Sequence, residues 1–125
     1  MFRRTGMALG WSVLVLLAGC IGTDRRIESV ARAFRDKPYG SLVQLEGYDR
    51  SPEYEELESL GAFRLGMTPQ DTERLLGKPD SVWDDVHPKQ FFELSYMYDV
   101  GPIQVANFYF KRGKLIDWYL NVDGR

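Results

Sequence analysis

The final stretch of the chain alternates apolar and polar side chains, and this pattern constrains the fold more than any other feature. Three alternating segments follow one another at 91–99, 103–110 and 115–122, separated by Gly101-Pro102 and by the polar residues 111–114. Alternation with a period of two, joined by short glycine-containing turns, is typical of antiparallel strands. A sheet of this kind must bury one face beneath other elements. We therefore predict a three-stranded antiparallel meander that is covered by helices from earlier in the chain.

Both faces of the predicted sheet carry large apolar side chains. One face, expected in the core, holds Phe92, Leu94, Tyr96, Tyr98, Ala106, Phe108, Phe110, Ile116, Trp118, Leu120 and Val122. The opposite face holds Phe91, Met97, Ile103, Val105 and Tyr109. Most aromatic residues in a small domain belong to its core. Monomeric proteins nevertheless rarely expose large apolar patches, so we predict that the second set binds a protein partner. Strand addition at an open edge is a further route to a partner.

Two short helices with signals at both ends precede the strands. Ser51-Pro52 is a helix entry, since serine caps the helix and proline suits its first position, and Gly61 closes it. Thr68-Pro69 starts a second helix, Asp71 stands where a capping-box acid belongs, and Gly77 ends it. The predicted buried side chains are Tyr54, Leu57, Leu60, Leu75 and Leu76. Helices of two turns cannot stand alone, so we expect them to pack on the sheet.

Two further segments add to this α+β arrangement. An additional N-terminal helix is predicted over 24–36, because Ile27, Val30, Ala31 and Phe34 recur at helical spacing. A short extra strand at 81–83 is an alternative to a plain connector. The role of residues 24–48 stays open.

The N-terminal residues have the pattern of an export signal. Arg3 and Arg4 precede an apolar run from Met7 to Leu17, which is too short to span a bilayer as a helix. Small residues and then Cys20, the only cysteine, follow the run. The sequence Leu-Ala-Gly-Cys resembles the lipobox of bacterial lipoproteins. That resemblance implies cleavage before Cys20, acylation of Cys20 and anchoring in a membrane. An ordinary exported protein and a free thiol are the alternatives.

Composition describes one small acidic domain. The chain has 125 residues, of which 44% are hydrophobic. Loss of residues 1–19 as a signal peptide would leave 14 basic and 18 acidic side chains. Nucleic-acid binding needs clustered Lys or Arg, so we exclude this class of partner. The predicted organisation is a signal peptide at 1–19, a lipidated tether and extra helix at 20–50, and the α+β domain at 51–125.

No residue pattern indicates catalysis, a metal or a cofactor. His87 is the only histidine, and neither a second imidazole nor a nucleophile motif accompanies it. We therefore expect a protein that is not an enzyme. A small hydrolase that uses His87 is the weaker alternative.

A family resemblance covers roughly residues 51–122. Gly66-Met67-Thr68, Leu76-Gly77 and Pro79, followed by an aromatic strand and a hairpin through Phe108, Phe110 and Gly113, resemble the SmpA/OmlA domain of BamE-like lipoproteins. The resemblance implies two helices on a three-stranded antiparallel sheet. It also implies a non-enzymatic, scaffolding role in the assembly of outer-membrane β-barrel proteins or in envelope integrity.

Two expectations follow from the resemblance. Ile21 after the acylated cysteine implies the outer membrane, with the domain on its periplasmic face, because an aspartate there favours retention in the inner membrane of enteric bacteria. The partner is then an envelope protein, such as the β-barrel assembly machinery. The alternative is an inhibitory or ligand-binding module, because the same unit resembles the repeats of a β-lactamase inhibitor protein.

Overall fold

The computed structural model describes residues 22–36, 50–84, 90–101 and 104–122. The predicted signal peptide and Cys20 lie outside these residues, as do His87 and Ile103.

Within the described residues, three helices pack on an antiparallel sheet, which confirms the predicted α+β class. Helix α1 covers residues 22–36. The other helices are α2 (Pro52–Ser59) and α3 (Pro69–Leu76), and the strands are β1 (Ser81–Trp83), β2 (Leu94–Gly101), β3 (Gln104–Lys111) and β4 (Lys114–Asn121). The strands lie in the order β1-β2-β3-β4 and every neighbouring pair is antiparallel. The meander is therefore built from strands that are also neighbours in sequence.

The predicted count of three strands is wrong, because the sheet has four. Residues Ser81–Trp83 form β1 and pair with Ser95–Met97 along the edge of β2. The segment is three residues long and all of its side chains are exposed, so it carries no alternation that marks a strand. The strand β1 is defined by its backbone pairing with Ser95–Met97, which lies more than one turn or loop away along the chain.

The ends of α2 and α3 follow the predicted capping signals. The Ser51 hydroxyl accepts a hydrogen bond from the Tyr54 amide at 3.4 Å. At α3, the Thr68 hydroxyl accepts from the Asp71 amide at 3.1 Å, and the Asp71 carboxylate accepts from the Thr68 amide at 3.3 Å. Gly77 ends α3 with φ 82°, a conformation that suits glycine. Two orphan amides of α3 are thus satisfied by a reciprocal capping box.

Helix α1 belongs to the same core as the rest of the domain. Its residues Val30, Ala31 and Phe34 are buried, and Phe34 packs edge-on against Tyr98 with ring centroids 5.8 Å apart. The Arg35 guanidinium donates a hydrogen bond of 2.8 Å to the Leu75 carbonyl in the last turn of α3. A cation at this position satisfies an orphan carbonyl and interacts well with the helix dipole.

The core is a set of interlocking rings centred on Phe108. Phe108 is fully buried on β3, and its ring centroid lies 5.0 Å from Phe63, 5.7 Å from Tyr98 and 6.5 Å from Tyr54. Edge-to-face and tilted arrangements at such distances are favourable for aromatic pairs. The predicted core positions Tyr96, Ala106, Phe110 and Leu120 are buried in the same cluster. Helices and sheet are thus joined through aromatic contacts.

A β-bulge changes the predicted face of β4. The register shifts between Tyr109 and Phe110, so that Phe110 pairs with Leu115 while Tyr109 pairs with Asp117. Leu115 is therefore buried, whereas Ile116, which we expected in the core, is only half-buried. Trp118 and Leu120 keep their predicted inward face. An extra residue in one strand swaps which of the following side chains face the core. The alternating pattern of the sequence does not show where such an extra residue lies.

Phe108→Ala should lower the free energy of unfolding by about 3–5 kcal/mol, because it leaves a cavity at the centre of the ring cluster. Urea unfolding followed by circular dichroism measures this loss. Leu65→Ala is the control, since Leu65 is 72% exposed and its truncation should change stability by less than about 0.5 kcal/mol. Equal losses in both variants would contradict the core described here.

The capping box should make stability depend on pH. Hydrogen bonds from the Thr68 amide and hydroxyl lower the pKa of Asp71 below its usual value. Its stabilising contribution is therefore complete above the unfolded-state pKa of about 4 and is lost as pH falls through the lower folded-state pKa. The gap in urea midpoint between the parent chain and Asp71→Asn should be largest at pH 7 and should shrink below pH 3. A gap that does not change with pH would contradict this role.

Candidate functional site

The side of the sheet that faces away from the helices is the candidate site. Directly paired residues of antiparallel strands share a face. One row of pairs runs Trp83, Ser95, Tyr109 and Asp117 across all four strands. The next row runs Ser81, Met97, Asn107 and Tyr119. A third row holds Asp99, Val105 and Asn121.

Four rings form a cluster on this side of the sheet. Phe92 lies at its centre, with ring centroids 4.8 Å from Tyr109, 5.4 Å from Trp83 and 5.1 Å from Phe91. Phe91 also contacts Tyr109 at 5.1 Å. Phe92 is 8% exposed, yet it is not part of the main core cluster. The domain thus has a second, smaller apolar cluster.

Much of this second cluster remains in contact with solvent. Phe91 is 54% exposed, Trp83 42% and Tyr119 46%. Met97, Val105 and Tyr109 are half-buried. We use the name outer aromatic face for Trp83, Phe91, Phe92, Met97, Val105, Tyr109 and Tyr119. A contiguous exposed apolar surface of this kind is characteristic of interaction sites.

The structure places four of the five sequence-predicted partner residues on this face. They are Phe91, Met97, Val105 and Tyr109, whereas Ile103 lies outside the described residues. Sequence reasoning missed Trp83 and Tyr119, and it placed Phe92 in the main core. Phe92 precedes the first paired residue of β2, so the alternation within the strand does not determine its direction. The alternation within β4 contained the signal for Tyr119, because its neighbours Trp118 and Leu120 face inward.

The face carries acidic groups beside its apolar surface. Asp117 pairs with Tyr109, and Asp99 pairs with Val105. The Asp80 carboxylate accepts a hydrogen bond of 2.7 Å from the Asp99 amide, which brings two acids together. Partial burial and the charge of Asp80 raise the pKa of Asp99. Burial, followed by nearby Tyr119 and Asp117, raises the pKa of Tyr109.

The β4 edge of the sheet is partly closed to strand addition. The Leu115 amide donates to the Met67 carbonyl at 2.7 Å, and the Leu115 carbonyl accepts from the Gly66 amide at 2.9 Å. The Trp118 amide donates to the carboxylate of Asp117 at 2.9 Å. These contacts occupy backbone groups that an added strand needs, so the flat face is a better candidate site than this edge.

A groove of about 540 Å³ lies on the helical side of the molecule. Ile27, Leu60, Met67 and Leu75 line its apolar part, and they also pack against the main core. Its rim mixes both signs of charge and includes the ion pair of Arg74 with Asp71 at 2.7 Å. The groove is thus lined by apolar side chains and by charges of both signs, and no one class of ligand is favoured.

Further searches of the described residues were negative. Within them, His, Cys, Asp and Glu side chains form no group that holds a metal ion. The helices among the described residues are too short or too polar to cross a membrane.

Phe92→Ala should lower the free energy of unfolding by about 3 kcal/mol, since Phe92 is the buried centre of the second cluster. Phe91→Ala is the matched control, because the adjacent ring is half-exposed and should cost less than about 1 kcal/mol. Urea unfolding measures both losses, and near-ultraviolet circular dichroism reports the order of the rings. A larger loss for Phe91→Ala than for Phe92→Ala would contradict the arrangement.

Comparison of the chain with protein-family models, with curated proteins and with solved structures finds no match.

Proposed function

We propose that the protein is a membrane-anchored, non-enzymatic binding module of the bacterial cell envelope, in which the outer aromatic face docks a partner protein. The observation that carries the proposal is that face, where Phe91, Trp83 and Tyr119 stay exposed although the three helices fill the opposite side of the sheet. An exposed aromatic surface on a rigid sheet is suited to protein recognition.

The anchor in this proposal is an acylated Cys20. The sequence supports it through the basic start, the apolar run and the Leu-Ala-Gly-Cys exit. Helix α1 begins within two residues of Cys20 and packs into the core, so the attachment point is joined directly to the folded domain. Stable anchoring requires more than one acyl chain, which a fully modified lipoprotein cysteine provides.

We further propose the outer membrane as the location and the β-barrel assembly machinery as the partner. The residues that resemble the SmpA/OmlA domain support this choice. The observed packing of α2 and α3 on the strand meander is compatible with that domain. An inhibitory module would use the same face against a periplasmic hydrolase.

Cys20→Ala should release the protein from the membrane, because Cys20 is the only cysteine and the proposed site of acylation. Fractionation of cells followed by immunoblotting measures the change, with loss of palmitate labelling as a second readout. Ser29→Ala, a change at an exposed position of α1, should leave the protein in the membrane fraction. Retention of the Cys20→Ala protein in membranes without acylation would contradict the anchor.

Purification from gently solubilised envelopes should recover the partner with the parent chain and lose it with a Trp83→Ala/Tyr119→Ala variant. Trp and Tyr are enriched among the interface residues whose truncation weakens binding most. Leu65→Ala removes an exposed apolar side chain outside the face and should retain the partner. Recovery of barrel-assembly subunits supports the specific proposal. Inhibition of a periplasmic hydrolase, with unchanged outer-membrane composition on deletion, favours the inhibitory module.

A further inference from the structure

We infer that the partner protein docks by strand addition, in which one of its extended segments pairs antiparallel with the open edge of β1. This inference rests on the proposed binding function and adds the backbone chemistry that recognises the partner. The added segment would extend the sheet beside Trp83 and so enlarge the outer aromatic face.

The backbone amide and carbonyl of Val82 point away from the sheet. The Met97 carbonyl accepts a hydrogen bond of 2.9 Å from the Asp80 amide, so the backbone groups of Met97 face β1. Directly opposed residues of an antiparallel ladder either both face each other or both face away, and the direction alternates along each strand. Ser81 pairs with Met97, so the groups of Ser81 face β2 and those of Val82 face outward. Among the described residues no strand lies beyond β1 to bond them.

Other parts of the sheet edges are occupied by the chain itself. At the β4 edge, the loop at 66–67 bonds both the amide and the carbonyl of Leu115. Beside the end of β1, the Asp80 carboxylate accepts from the Asp99 amide, which covers that part of β2. Protein sheets often protect an edge strand with a charge or a proline, and β1 itself contains neither. Strand β1 is therefore the edge best suited to take an added strand.

The side chains of β1 define the pattern of the added segment. Val82 is 54% exposed and pairs with Tyr96 of the main core, so it lies on the helical side of the sheet. Trp83 is 42% exposed and lies on the outer aromatic face. Cross-strand neighbours on one face stabilise a strand pair through side-chain contact. A fitting segment thus has two consecutive apolar residues, a β-branched one opposite Val82 and an aromatic one opposite Trp83.

A second copy of this chain is the poorer occupant of the edge. Antiparallel pairing of two β1 strands around Val82 would bring Asp80 of each copy close to Asp84 of the other. Like charges on opposed strands are destabilising. A partner segment without acids at these positions avoids the repulsion, which favours a different protein over self-association.

Labelled peptides test the inference with the full chain in non-ionic detergent. The parent probe has seven residues, is blocked at both ends and carries phenylalanine, valine and threonine in that order between serine and glutamine residues. In antiparallel pairing its valine lies opposite Val82 and its phenylalanine opposite Trp83. Two further probes carry a single N-methyl group, one on the valine nitrogen and one on the phenylalanine nitrogen.

The two N-methyl probes distinguish strand pairing from contact of side chains alone. The valine N–H of the probe donates to the Val82 carbonyl, whereas the phenylalanine N–H points away from β1. Fluorescence polarisation should show at least about tenfold weaker binding when the valine is methylated, because the Val82 carbonyl loses its donor. Methylation of the phenylalanine should change binding less than about twofold, since no hydrogen bond to β1 is lost.

Matched variants locate the pairing on the chain. Val82→Pro removes an amide that faces outward and none that faces β2, so β1 stays paired and binding of the parent probe should weaken at least about tenfold. Val82→Thr keeps the amide and a β-branched side chain, and should bind within about twofold of the parent chain. Hydrogen exchange followed by NMR is a direct readout, because saturating probe should slow exchange of the Val82 amide at least about tenfold.

Several outcomes overturn the inference. They are equal binding of the two N-methyl probes, no binding of the parent probe, unchanged exchange of the Val82 amide in the complex, or a dimer in sedimentation that Val82→Pro dissociates. Partner recovery that depends on Trp83 and Tyr119 but is indifferent to Val82→Pro would overturn strand addition alone and leave the proposed function standing.

Discussion

The burial of Phe108 between the helices and the sheet is the contact on which the rest of the structure depends. Its ring meets Tyr98 on the neighbouring strand and Tyr54 of α2, and Tyr98 in turn meets Phe34 of α1. This chain of rings joins two helices that are too short or too isolated to be stable in water alone. Because the helices fill the inner side, the outer side of the sheet receives no helix among the described residues. The candidate site is a consequence of this one-sided packing.

The sequence predicts the elements well because their signals are local. Caps at Ser51 and Thr68 and the left-handed glycine at Gly77 are set by residues within one helical turn. The three strand segments likewise follow from alternation within each segment. The sequence offers the strand at 81–83 only as an alternative to a connector, since Ser81–Trp83 is defined by pairing with β2. The bulge that leaves Ile116 without a pairing partner on β3 also arises between strands. Contacts distant in sequence decide these two features.

The residues of the candidate site likewise fall into two groups, those that local alternation predicts and those that only tertiary contacts bring together. Met97, Val105 and Tyr109 share a face because each is an outward position of a recognised strand, so alternation suffices to group them. Trp83 and Phe92 join them only through tertiary contacts, one by β1 pairing and one from the segment before β2. Gln104 illustrates the opposite case, because a polar residue on an inward position is buried. Its amide oxygen accepts from the Ser51 amide at 2.8 Å, which ties the start of α2 to β3.

The proposed lipid anchor and the proposed binding surface are compatible within this architecture. If Cys20 carries the lipid, Ile21 alone separates it from α1, and two residues extend no more than about 7 Å. An acylated Cys20 would thus hold the start of α1 close to the bilayer surface. Helix α1 packs on the inner side of the sheet, whereas the outer aromatic face lies on the other side. Attachment through the helical layer therefore leaves the outer face accessible to a partner. In the proposed arrangement, a short tether would also restrict the directions from which a partner can approach, so the position of the anchor would contribute to recognition.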